Sequence, residues 1–231
     1  THRYINYNLK VKSMTFLDFF LEKIVQTHVG RPKDLEKRQQ ILTAAKCVFL
    51  KCGYHGSSMN QIAQEAGVTK LTIYNHFQDK ENLFTCAIEK NCEESISTRP
   101  VTLSADSDFK KEFTQICALA LNIVNLPEAI KLELLLLELA AEQNPLAQKF
   151  YDASHLRMNA IWEDFFEQAI TLGFIRTENL KTLTLLILSL LLGMRHHEVL
   201  LGIRAVPTLD EKQQIIFASI DLFLMKYSTT Q

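Results

Sequence analysis

The stretch from Gln61 to Phe77, Gln-Ile-Ala-Gln-Glu-Ala-Gly-Val-Thr-Lys-Leu-Thr-Ile-Tyr-Asn-His-Phe, governs the reading of the rest of the chain. Two short helices that cross steeply need a small residue where their backbones approach, and Ala63 supplies it. They need a residue tolerant of positive φ at the bend, and Gly67 supplies that four positions on. Val68 and Ile73 face the second helix toward the first, and Ile62, Ala66 and Phe77 complete a small core. This spacing is that of a helix-turn-helix, whose second helix enters the major groove of DNA. Thr69, Lys70, Thr72, Tyr74, Asn75 and His76 are left to project from it, with no carboxylate between Gly67 and Gln78. An exposed face that only supports a helix more often carries Glu–Lys pairs. Hydroxyls, an ammonium, an amide and an imidazole instead approach phosphates without repulsion.

Working outward, the helical signal is continuous from Asp34, which is placed to cap a helix with Ile41, Ala45, Val48, Phe49 and Cys52 on one face, ending at Gly53. Ser58 and Gln61 form a capping box for the next helix. Thr69 caps the third, and Asp79 a fourth from Lys80 to about Ser95. A Ser/Thr-rich link, Ser97 to Ser107, leads to five expected helices at about 108–125, 128–143, 146–172, 178–201 and 209–227. Pro127, Asn144, Pro145, Gly173, Gly202 and Pro207 punctuate them, and Thr208 with Glu211 makes a second capping box. Only seven Gly and five Pro occur in 231 residues, and 47% of the residues are hydrophobic. Long helices with short connections around a real core follow, and the fold class is all-α.

Three regions are expected: a leader over 1–30, a helix-turn-helix domain over 31–80, and a helical regulatory and dimerisation domain over 81–231. Met14 is a candidate start. Residues 15–27 pattern as a short amphipathic helix with Phe16, Phe19, Phe20 and Ile24 on one face. Gly30, Arg31, Pro32 and Lys33 break it with positive charge, either as a flexible leader or as a basic arm for a minor groove. Residues 1–83 hold twelve Lys and Arg against seven Asp and Glu, and residues 84–231 thirteen against nineteen. The chain is thus a basic module followed by an acidic one, despite a net charge of −1.

The flanks carry a resemblance. The helix ending Phe49-Leu-Lys-Cys-Gly53-Tyr54, the entry Ser58-x-x-x-Ile62-Ala63, then Ala66-Gly67-Val68, the segment Thr72 to Phe77, and Asp79-Lys80-Glu81-Asn82-Leu83 are together similar to the Tet repressor (TetR) family of bacterial regulators. The similarity runs from about Lys37 to Ala87, with Gly30-Arg31-Pro32 like that family's usual leader. It implies Ser58, Tyr74, His76 and Lys80 on phosphates, and Thr69, Lys70, Leu71, Thr72 and Asn75 in or near the major groove. Lys suits guanine and Asn suits adenine, so Lys70 and Asn75 are the candidate base readers. Leu71 is bulkier than the small residues often found there, fitting contact with a thymine methyl or a limit on helix insertion.

Beyond the link, helix 178–201 is apolar nearly all round and must be covered on more than one side. The last helix adds a stripe of Ile215, Ile216, Ser219, Leu222, Phe223 and Lys226. Paired across a two-fold axis, these two helices are the expected homodimer interface, spacing two recognition helices for a palindromic operator of double-stranded DNA. Helices 108–172 are expected to enclose a small hydrophobic effector with Phe113, Cys117, Phe150, Tyr151, Met158, Trp162 and Phe166, and with His155 and Arg195 as polar anchors. Such stripes also serve as plain core.

The expected function is therefore an effector-released repressor. The alternative is a DNA-binding dimer without an effector, controlled by a protein partner or acting structurally. Neither a catalytic constellation nor a cofactor motif stands out, and His196 and His197 diverge by about 100° on a helix, a poor metal pair. Five cysteines without a CxxC pair are expected to be reduced and mostly buried. Leu183 to Met194 is too short to span a bilayer, and Arg195 follows at once, so the expected setting is the cytoplasm without membrane contact.

Overall fold

The computed structural model describes residues 32–96 and 101–229. The leader over 1–30 and any basic arm within it lie outside these residues. Ten α-helices follow in order: α1 (Pro32–Cys52), α2 (Met59–Glu65), α3 (Lys70–Phe77), α4 (Lys80–Ile96), α5 (Phe109–Val124), α6 (Pro127–Ala141), α7 (Leu146–Tyr151), α8 (Arg157–Thr171), α9 (Leu180–Leu200) and α10 (Leu209–Tyr227). Among the described residues there is no strand, only one isolated antiparallel bridge between Ile175 and Ser228. Residues 32–39 belong to one unit, and residues from Gln40 onward to a second that holds both cores.

The caps act largely as their residue types dictate. Ser58, Thr69 and Thr208 each accept from the backbone N–H three residues on, at 3.2 Å. At Thr208 the box is complete, because Glu211 also accepts from the Thr208 N–H at 2.9 Å. At Ser58 it is half made: the hydroxyl donates to the Gln61 side chain at 2.9 Å, so Gln61 does not reach the Ser58 backbone. Asp34 lies in the first turn of α1, which begins at Pro32, a residue whose fixed φ suits a helix start.

The first core joins Ile41, Phe49, Ile62, Ile73, Phe77 and Phe84 of α1–α4 to Leu132, Leu135, Leu139 and Phe150 of α6 and α7. Lys46 pairs with Glu128 at 2.6 Å and Lys149 with Glu81 at 2.5 Å, while His55 bonds Glu142 at 2.6 Å. The helix-turn-helix is therefore clamped to the base of the second half. The other core joins α5, α8, α9 and α10 around Phe113, Trp162, Phe166, Leu183, Ile187 and Phe223.

Two departures from expectation lie in this second half. The predicted helix 146–172 is split by a π-helical turn, Asp152–Leu156, between α7 and α8. Continuous apolar spacing conceals such a turn, since the wider ladder absorbs the extra residue locally. In α9, Gly193 adopts φ 45° and ψ −154°, so the helix kinks there. By length and composition α9 is long and apolar enough to cross a membrane. It nevertheless buries Leu183, Thr184, Ile187, Leu191 and Val199 within the chain.

The cysteines and the last helix also differ from expectation. Cys47 and Cys52 are exposed and Cys86 is half-buried; Cys117 is buried. The first two point off the outer side of α1, because small size alone does not choose a helix face. In α10, Ile216, Ser219 and Phe223 face the chain's own core. Of the expected stripe, Leu222, at 55% exposure, and Lys226 are exposed, and Phe217 and Met225, at 50% and 83%, join them.

Candidate nucleic-acid interface and effector cavity

The bend between α2 and α3 closes in a Schellman motif. The Val68 N–H donates to the Ala63 carbonyl at 3.0 Å and the Gly67 N–H to the Gln64 carbonyl at 3.2 Å. Gly67 sits at φ +62°, which a side chain would strain. Ile73 and Phe77 are wholly buried beneath α3. Helical periodicity then leaves Lys70, Leu71, Tyr74 and Asn75 on the outer face, all exposed. Thr69 is exposed at the cap, its hydroxyl 2.8 Å from that of the half-buried Thr72. Leu71 stands at 68% exposure, an apolar knob on a polar surface. The Lys70 ammonium lies 5.8 Å from the Tyr74 ring centre, and the half-buried His76 ring 6.0 Å from that of Phe77.

Neither α2 nor α3 carries an acidic residue in its first turn, so the positive ends of both helices are unopposed. At the start of α4, Lys80 is half-buried with its ammonium 4.4 Å above the Tyr54 ring, a cation–π contact that fixes its position. Burial holds its pKa below the ordinary lysine value. Asp79 and Glu81 flank it, and Glu81 is taken up by Lys149. Burial, then Glu81 and Asp79, push the Tyr54 hydroxyl up. The exit of α3 was not legible from the sequence. Gln78 adopts φ 65° and ψ −53°, and the Asp79 N–H donates to the Phe77 carbonyl at 2.7 Å, a tight and strained γ-turn.

Where the two cores meet there is a cavity of about 230 Å³. Its walls are largely aliphatic, from Ile123, Leu132, Leu188, Leu191 and Leu192, with Ala120 and Ala129 leaving space. Of the residues expected to line a pocket, His155, Met158 and Phe150 do so. Phe113, Cys117, Trp162 and Phe166 do not: they are wholly buried, and the three rings pack with Phe165 and Phe223 as plain core. Burial pushes the Cys117 thiol far up. Tyr151 lies outside, 40% exposed and stacked on His155 at 4.7 Å. Arg195 does not line the cavity either; its Nη2 donates to the Ala205 carbonyl at 2.8 Å and meets Glu211 at 3.5 Å, while its buried Nη1 has no partner.

Four polar cavity residues were not foreseen as ligand contacts: Glu133, Ser154, Asn159 and His196. Glu133 lies 3.5 Å from the His155 Nε2, and the hydrogen bond from His155 holds its carboxyl below the usual range despite burial. His196 lines the same cavity, and burial depresses its pKa. Both backbone irregularities border this space: the π turn contributes Ser154 and His155, and the Gly193 kink falls between Leu192 and His196.

Comparison with known proteins assigns this geometry. A family model described as bacterial regulatory proteins, TetR family, matches residues 41–85. A second, the C-terminal domain of AefR-like transcriptional repressors, matches residues 111–229, more than half of the chain. The chain belongs to the TetR family. Its described residues have that family's all-α fold, with the helix-turn-helix match at 41–85.

Among TetR-family relatives, it is 39% identical over 66 residues to the transcriptional activator FasR of Mycolicibacterium smegmatis, covering 29% of this chain and 30% of that protein. It is 47% identical over 53 residues to the transcriptional repressor BepR of Brucella suis, covering 23% and 25% respectively. The matches thus span less than a third of these relatives' own length. A crystal structure of a regulator assigned to the same family, from Mesorhizobium loti, superposes with a TM-score of 0.77 at 25% identity, over 86% of this chain and 100% of that one. The flavonoid-responsive regulator FrrA superposes with a TM-score of 0.73 at 25% identity, over 85% and 99%.

Proposed function

We propose that a homodimer of this chain is a cytoplasmic repressor that places α3 of each protomer in the major groove at two half-sites of a palindromic operator, and that a small apolar effector in the cavity releases it. The carrying observation is the outer face of α3: Lys70, Leu71, Tyr74 and Asn75 exposed together, without a carboxylate, over a buried Ile73 and Phe77. In this reading Lys70 and Asn75 meet base edges, Thr69, Leu71 and Thr72 lie in or beside the groove, and Ser58, Tyr74, His76 and Lys80 hold phosphates.

Exposed apolar residues support the dimer. Leu185 and Met194 on α9 are 70% and 74% exposed, and Phe217, Leu222 and Met225 on α10 are exposed as well. Large apolar surfaces left open on one chain are characteristic of subunit interfaces.

The cavity favours effector control over control by a protein partner. Phe150 connects the two halves, since its ring lines the cavity and also lies 6.0 Å from Phe84 on α4, the helix next after α3. An occupant that moves Phe150 shifts the balance between operator-spaced and released dimers, and a coupling of about 1–3 kcal/mol weakens binding 5- to 150-fold.

Selection of bound DNA from a random pool, with and without cell extract, tests both halves. The expected result is a palindromic consensus that is lost on adding extract. Failure to retain any duplex at low salt refutes DNA reading by α3, and a consensus indifferent to every extract refutes the effector.

A further inference from the structure

The polar wall of the cavity specifies more than an apolar ligand. Ser154 has one hydroxyl hydrogen and donates it to the Phe150 carbonyl at 2.8 Å. In its 2.8 Å contact with the His155 ring, Ser154 is therefore the acceptor, and Nδ1 of His155 is the donor. The other nitrogen, Nε2, faces the Glu133 carboxylate at 3.5 Å. That distance is too long for a strong charge-assisted bond and leaves carboxylate lone pairs unfilled. Tyr151 stacks on His155 and the π turn carries its backbone, so the ring is held rather than free to close on Glu133.

Charge then selects among head groups. Among the described residues lining the cavity there is neither Lys nor Arg. An anionic head would enter beside the Glu133 carboxylate, between aliphatic walls, with no cation of its own, which is costly in a low dielectric. A cationic head would have to displace the His155 ring that faces Glu133 at 3.5 Å. An uncharged hydroxyl meets neither penalty. It donates to the unfilled lone pairs of Glu133 while its hydrocarbon body covers Leu132, Leu188 and Leu191.

We propose that the cavity takes an uncharged, hydroxyl-bearing apolar molecule, a phenol or alcohol below drug size, whose O–H donates to Glu133 beside His155. The proposal rests on the effector reading above and names the chemistry of that ligand. Burial disfavours the cationic form of the neighbouring His196.

Calorimetric titration of the full chain with four matched probes tests this: 4-butylphenol, 4-butylbenzoate, 4-butylbenzylamine and butylbenzene. The phenol is expected to bind at least about tenfold more tightly than each of the other three, as befits a hydrogen bond to a charged acceptor. In Glu133→Gln, an isosteric change, the phenol loses about tenfold and the benzoate gains. Tighter binding of the benzoate or the amine by the wild type overturns the proposal, as does binding of none of the four, or phenol affinity unchanged in Glu133→Gln. Phenol binding that leaves the operator complex intact overturns effector control but sustains the ligand class, so the two failures are distinct.

Discussion

Lys80 offers a quantitative test of the DNA interface. Its ammonium is pinned over the Tyr54 ring at the start of α4, so it acts as a fixed charge rather than a mobile surface lysine. Substitution by Met keeps the stem's packing and removes the charge. Each phosphate neutralised on duplex DNA contributes a slope of about −0.9 in log K against log salt, so two Lys80 side chains in a dimer contribute about −1.8. Raising salt fourfold, from about 50 to 200 mM, should therefore weaken the wild type about twelvefold more than Lys80→Met. Fluorescence anisotropy with the selected operator, repeated on an unrelated duplex, reads this directly. The flattening should be the same on both duplexes, because a phosphate contact carries no sequence. A slope indistinguishable from the wild type, with the variant folded, would refute the placement of Lys80 on phosphate.

Asn75→Ala should behave oppositely, keeping the salt slope while relaxing preference at particular bases of the selected site. Gly67→Ala meets no atom within 4 Å, so its cost is conformational alone, about 1–2 kcal/mol and a fall in Tm of several degrees by calorimetry. Gln78→Gly relaxes the γ-turn and should instead raise Tm; a fall would show that the turn is not strained. His196 is disfavoured as a cation when folded, so its contribution to stability is present above pH 6.5, its unfolded value, and is lost as pH falls below it. Glu133 acts in the same direction below pH 4.5. Urea unfolding between pH 7 and 5 should show a decline that His196→Gln lessens. Alkylation of the native protein should label Cys47 and Cys52 and spare Cys117, and mass spectrometry decides this.

What the sequence revealed and what it concealed divide along physical lines. Caps and bends are local, and Ser58, Thr69, Gly67 and Thr208 could be read from a few neighbouring residues because the backbone groups they satisfy lie within one turn. The outer face of α3 was legible for the same reason. The cavity was not, because a cavity is a failure of packing between distant elements. Phe113, Trp162 and Phe166 have the size and spacing of pocket walls but fit one another, whereas Ala120, Ala129 and six aliphatic residues with the look of ordinary core leave the space. Glu133 reads as a surface residue on a Leu-rich helix until the π turn brings His155 beside it. The stripe expected on α10 mixed its two sides, because apolar residues there are spaced to suit both an inward phase at Ile216 and Phe223 and an outward one at Leu222.

The π turn at 152–156 has a consequence for how this chain tolerates change in length. A ladder of five residues per hydrogen bond takes up one residue more than the α-helical ladder over the same rise, so the cores on either side keep their phase. Removing a single residue there should straighten the rod while Phe150 and Trp162 keep their partners, and only Ser154 and His155 would be re-aimed. Few other positions in the second half would accept a deletion so cheaply. If the cavity holds the proposed effector, one codon lost or gained at this turn rewrites the polar contacts of the cavity and spares the scaffold.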